Sequence, residues 1–206
     1  MKQLRALAVF PILALAFCAN SPEVTAQTAH QIQFDSTNNS ARVFVEDAHA
    51  KAGTDPNGIA HVAGVRPATD DDDGASNVMA ADGSSLLVSL DKWRSAEGTA
   101  KITETPDGND RVKLSFKHLI AFGVYSVFLA DLSDPDASAL RALDGTGTTN
   151  SFEAKVDGTA SLTLTASKHL VSGDALVLIY HSDDTDHGPS PGQLVIDAHE
   201  QLVGRV

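Results

Sequence analysis

The sequence predicts an all-β fold, an antiparallel two-sheet sandwich of the immunoglobulin-like or jelly-roll kind, with a small β-barrel as the alternative. Three observations carry that prediction. Short segments alternate apolar and polar side chains, as Leu86, Val88 and Leu90 do within Ser85-Leu-Leu-Val-Ser-Leu90, and this alternation marks a half-buried strand. Turn-forming residues separate the segments, among them Pro106-Asp-Gly108 and Asp157-Gly158, where glycine can take positive φ. Helical spacing of apolar residues is nearly absent, and eight or so short strands at this spacing are what a sandwich needs.

The chain opens on a segment of secretory-leader character. Lys2 and Arg5 precede the apolar stretch Ala6 to Phe17, which is too short to span a bilayer. Val24-Thr-Ala26 supplies small or tolerated residues for signal peptidase, so residues 1–26 are read as a signal peptide cleaved after Ala26. Leu15-Ala-Phe-Cys18 offers a second processing route. It resembles a bacterial lipobox with Cys18 as the lipid anchor, although Phe17 stands where lipoboxes carry a small residue. Either route places the protein outside the cytoplasm, in the periplasm, on the cell surface or secreted.

Residues 27–81 are polar and broken, with short apolar runs at Ile32-Gln-Phe34, Ala41-Arg-Val-Phe-Val45 and Ile59-Ala-His-Val62. Turn-like segments lie between them, and the region is read as partly disordered. The run Asp70-Asp-Asp-Asp73 reads as an acidic linker, because adjacent carboxylates repel and bury nothing. An EF-hand loop is excluded, since the position that should hold its final acidic ligand is Ala80.

Regular β-patterning starts at about residue 82 and extends to 206, which defines the predicted sandwich domain. Thr99 to Thr105 and Arg111 to Lys117 form a hairpin around Pro106-Asp-Gly-Asn-Asp110, with Val112, Leu114 and Phe116 on one face. Gly123 to Ala130 is rich in β-branched and aromatic residues. Asn150 to Val156 and Thr159 to Thr165 are expected to pair through Asp157-Gly158. Asp174 to Tyr180 is apolar on both faces and therefore central, and Leu194 to Val206 closes the chain inside a sheet. Asp134 to Leu143 allows a short helix in the one long connection. Trp93 reads as a core plug at a strand end, and His118, sharing the parity of Phe116, as a core or edge histidine.

Four phrases, Gly123-Val-Tyr-Ser-Val-Phe-Leu129, Leu143-Asp-Gly-Thr-Gly-Thr-Thr-Asn-Ser-Phe152, Tyr180-His-Ser-Asp183 and His187-Gly-Pro-Ser-Pro-Gly192, resemble an uncharacterised group of exported bacterial all-β proteins. The resemblance covers roughly residues 82 to 206 and implies a single domain there. It implies no activity and no site.

Charge narrows the partners. Removing Lys2, Arg5 and Glu23 with the leader takes the formal charge from −12 to −13, a balance that repels phosphate backbones and anionic headgroups. Nucleic acid is therefore excluded, and no second apolar segment offers a transmembrane span in the mature chain. The only cysteine, Cys18, lies in the leader. The mature chain then has no disulfide, no thiolate nucleophile and no blue-copper centre, which requires a cysteine sulfur.

Ligand-type side chains gather beside one strand only. His181, Asp183 and His187 lie in the segment after Tyr180, and His199 follows on the last strand. These four are the candidate metal ligands, with imidazole and carboxylate suiting zinc or copper and the surrounding aspartates offering calcium a third option. No His-Glu-x-x-His pair, glycine-rich phosphate loop or Gly-x-Ser-x-Gly elbow occurs, so no catalytic residue is assigned. The expected function is an exported, non-enzymatic binding or interaction module for a protein or small ligand. The alternative is a metal-binding extracytoplasmic protein using the His181 to His199 region.

Overall fold

The computed structural model describes residues 29–35, 43–55, 58–133 and 140–206. The leader, its cleavage after Ala26, Cys18 and most of the Asp134 to Leu143 segment lie outside the described residues. The described residues contain fifteen strands and one short helix. The strands before the helix are β1 (Ala29–Asp35), β2 (Phe44–Glu46), β3 (Gly53–Thr54), β4 (Ala60–His61), β5 (Val65–Pro67), β6 (Asn77–Met79) and β7 (Ser85–Ser89). Helix α1 (Leu90–Arg94) leads into β8 (Glu97–Glu104), β9 (Asp110–Lys117), β10 (Val124–Asp131) and β11 (Arg141–Ala142). Strands β12 (Ser151–Glu153), β13 (Ala160–Thr165), β14 (Asp174–His181) and β15 (Ala198–Arg205) complete the chain.

The fold is all-β and antiparallel, as the alternation predicts. A large sheet runs β11-β10-β14-β15-β1-β8-β9-β13, with β12 also on β10, and curls into a half-barrel. A smaller sheet runs β5-β2-β6-β7. Val43, Val45, Val78, Leu86 and Val88 of the smaller sheet's region share one core with Ile102, Leu114, Tyr125, Leu176 and Leu178 from the concave face of the large one. The two layers thus form a sandwich with one layer strongly curled.

The β8–β9 hairpin forms in the expected register, with Ile102 opposite Val112 and Lys101 opposite Lys113. Strand β14 is buried along its whole length because β10 and β15 flank it and both its faces are covered. The Asp157-Gly158 turn also forms, with Gly158 N–H donating to Lys155 O at 2.8 Å. Its two arms nevertheless diverge. Strand β12 joins β10, whereas β13 joins β9 at the far end of the sheet. The turn therefore bridges the two margins of the half-barrel. Phe152 lies across that seam, stacked on Phe116 at 5.8 Å and on Tyr125 at 5.7 Å between ring centroids, each contact contributing about 1 kcal/mol beyond area burial.

The boundary at residue 82 does not separate two structural units. Strand β1 sits in the middle of the large sheet between β15 and β8, and β6 pairs with β7 across the boundary. The acidic run is likewise not a free linker. Arg66 grips Asp72 through Nη1 at 2.8 Å and Nη2 at 2.5 Å, while Arg94 donates to Asp72 O and Thr69 O. The Arg66 fork, outweighing burial, holds the Asp72 carboxyl well below the usual carboxylate range.

Two side-chain placements also change. Trp93 is a core residue, as expected, but it sits in α1, whose N-cap Ser89 accepts from Lys92 N–H. His118, expected in the core or at an edge, is exposed. The backbone turns at a φ of 57° there, which breaks the strand alternation, and the ring donates through Nδ1 to Ser95 O at 3.1 Å. Among the described residues, no helix is long and apolar enough to cross a membrane.

Candidate metal centre at the end of strand β14

Strand alternation decides which residues reach the site. Leu176, Leu178 and Tyr180 point into the concave core, so Val177, Ile179 and His181 point to the convex face, where Phe128, Ala142 and Ala198 cover the first two. Ser126 of β10 has the same outward sense and is the diagonal neighbour of His181. Its hydroxyl lies 2.9 Å from His181 Nε2, and both residues are fully buried.

Beyond His181 the chain turns sharply, with Asp184 at a φ of 56°. The turn returns His187 to within a ring-centroid distance of 5.3 Å of His181. His181, Asp183 and His187 each offer a ligand atom, and these atoms lie within 4.8 Å of one another. His187 Nε2 is 3.2 Å from an Asp183 carboxylate oxygen, yet the pair is not aligned as a hydrogen bond. His181 Nδ1 is also buried without a partner. A buried nitrogen left unpaired costs about 1–3 kcal/mol. The two imidazoles and the carboxylate form a donor set that could hold a metal ion.

Proton chemistry favours the same arrangement. Burial, and then the adjacent His187, push the His181 imidazolium below its ordinary pKa, so the ring is neutral at neutral pH. A neutral imidazole whose Nε2 proton is donated to Ser126 Oγ leaves the Nδ1 lone pair free to bind a cation. Burial alone would raise Asp186. The Ser151 hydroxyl at 2.6 Å and the Gly188 N–H at 2.8 Å outweigh it and keep that carboxyl below its usual range. Asp186 consequently anchors the loop.

A second loop braces the first. The Asp144 carboxylate accepts from the backbone N–H groups of Thr146, Gly147, Thr148 and Thr149, which rolls that segment into a compact turn. Gly147 then presses on Gly188 so closely that a Cβ on Gly147 would stand 2.1 Å from the Gly188 carbonyl carbon. Gly192, at a φ of +88°, closes over His187, where a Cβ would meet the ring at 3.0 Å. The glycines permit contacts that any side chain would block.

His199 does not join the group. It lies opposite Tyr180 in the β14–β15 ladder and therefore faces the concave core, where Trp93 and Tyr180 surround its ring at 6.4 and 6.3 Å. Its Nε2 is 3.0 Å from Ser182 Oγ. Burial lowers its pKa to about 4. Ser182 consequently pairs with His199 and not with His187. The residues that sequence reasoning missed are Ser126 and Ser151, which orient the site from neighbouring strands. The signal for Ser126 was a single small polar residue inside the run of large apolar and aromatic residues from Val124 to Leu129.

No protein-family model matches the chain, and comparisons with curated proteins and with solved structures give no match either.

Proposed function

We propose that this is an exported binding protein whose ligand is a divalent transition-metal ion, zinc or copper(II), held by His181, Asp183 and His187. The observation that carries the reading is that His181, Asp183 and His187 each offer a ligand atom within 4.8 Å of the others, in a site where His181 Nδ1 and His187 Nε2 are buried without a hydrogen bond. Nitrogen donors favour zinc or copper(II), whereas calcium takes about 6–8 oxygen ligands and would find only one carboxylate here. Three protein ligands leave a further position for water or a second small ligand. The leader features at residues 1–26 support an extracytoplasmic location, where such an ion would be met.

Equilibrium dialysis of untagged protein against zinc and against copper(II), followed by elemental analysis, tests the proposal. One equivalent should be retained by the wild type and by His199→Phe, and lost from His181→Ala and His187→Ala. Bound ion should also raise the melting temperature, by about 2.7 kcal/mol of stabilisation at a hundredfold excess over Kd. A wild type that retains neither ion, with a melting temperature indifferent to both, refutes the reading.

A further inference from the structure

A second surface stands out against the acidity of the chain. Strands β1, β8, β9 and β13 are contiguous in the large sheet, and three successive rows of their outward side chains hold only basic or uncharged residues. One row reads Gln31, Lys101, Lys113 and Thr163. The rows on either side read Ala29, Thr103, Arg111 and Thr165, and Gln33, Thr99, Ser115 and Ser161. Lys101, Arg111 and Lys113 are all exposed. None of the three rows contains a carboxylate, although the chain has 27 acidic against 15 basic residues. The nearest acids on this face, Glu97, paired with Lys117 at 3.5 Å, and Asp35 at the end of β1, both lie in the next row beyond these three.

The row pairing Lys101 with Lys113 is energetically unfavourable. Like charges directly opposite each other in a β-ladder destabilise it, and many acidic residues elsewhere in the chain could have supplied a partner. Cations placed side by side without counter-charges favour an anion that spans them. Around them the face offers hydroxyls and amides, namely Gln31, Gln33, Thr99, Thr103, Ser115, Ser161, Thr163 and Thr165. Apart from Ala29 it carries no apolar side chain, and it has no aromatic one.

Those features discriminate among anionic partners. A bilayer surface needs apolar side chains to insert. Single-stranded nucleic acid needs aromatic stacking platforms, and a protein interface is built around an apolar or aromatic centre. A polymer that alternates hydroxyls with carboxylates or sulfates needs only cations interleaved with hydrogen-bonding groups on an open face. We infer that the outer face of β1-β8-β9-β13 binds an acidic polysaccharide, with Lys101, Arg111 and Lys113 meeting its anionic groups and the flanking threonines, serines and glutamines its hydroxyls. The metal centre lies at another part of the sheet, so this inference does not depend on it.

The test measures binding of the full untagged protein to polygalacturonate, to neutral dextran and to polyphosphate at low and moderate salt. Wild type should bind polygalacturonate in a salt-sensitive manner and ignore dextran. Lys101→Gln/Arg111→Gln/Lys113→Gln should weaken binding by about tenfold or more, while Lys51→Gln, between β2 and β3 and outside the large sheet, should leave it unchanged. Because the Lys101 to Lys113 repulsion is removed, the triple variant should melt no lower than wild type, which separates lost binding from lost folding. Lys101→Arg/Lys113→Arg should retain binding. Absence of polygalacturonate binding, equal binding by the triple variant, or binding of polyphosphate as tight as that of polygalacturonate would each overturn the assignment.

Discussion

Replacing His199 with phenylalanine should remove a defined part of the protein's acid sensitivity. The imidazole is fully buried between Trp93, Tyr180 and Ser182, and burial lowers its pKa from 6.5 to about 4. A depressed histidine pKa means that the unfolded chain takes up a proton before the folded chain does. The neutral ring's contribution is therefore complete above pH 6.5 and is lost as the pH falls towards about 4. Linkage puts that loss at about 2 kcal/mol by pH 5 and about 3 kcal/mol by pH 4. Phenylalanine keeps a ring against Trp93 and Tyr180 and cannot titrate. Urea unfolding at pH 7 and pH 5 measures the effect as the difference between wild type and His199→Phe, which cancels the carboxylates common to both. Relative to the variant, wild type should lose about 2 kcal/mol over that interval. A difference that stays constant within a few tenths of a kcal/mol would show that the ring is not held neutral by burial.

Two further outcomes probe the candidate metal centre. Ser126→Ala removes the hydroxyl that bonds His181 Nε2, so it should destabilise the metal-free protein by about 1–3 kcal/mol in urea and weaken zinc or copper binding about 10–100-fold by calorimetry. Gly192→Ala places a Cβ 2.6 Å from Asp197 Oδ1 and 3.0 Å from the His187 ring at a positive φ. It should cost about 1–3 kcal/mol and shift the His187 ring resonances by NMR, and unchanged resonances would show that Gly192 does not position the ring.

Much of this architecture is legible locally. Val112, Leu114 and Phe116 show their shared face through alternation alone, and all three are buried. Asp174 to Tyr180 shows its central position by being apolar throughout. The position of the site was legible too, because His181, Asp183 and His187 sit in one short segment. Its membership was not, because the side from which His199 approaches depends on how β15 pairs with β14. A β-bulge between Leu178 and Ile179 shifts that register, and a one-residue shift reverses the face a side chain meets.

Short-range chemistry sets the two-residue periodicity, the turn at Asp157-Gly158 and the imidazole and carboxylate donors gathered between His181 and His187. Those properties belong to neighbouring residues, so the sequence by itself determined them. Long-range pairing decided the rest. It inserted Ala29–Asp35 between β8 from mid-chain and β15 from the far end, sent the two arms of the Asp157-Gly158 turn to opposite margins of the half-barrel, and brought Ser126 and Ser151 against His181 and Asp186, more than thirty residues later. Backbone ladders satisfy many partners equally well, and only the joint packing of all strands around one core selects among them.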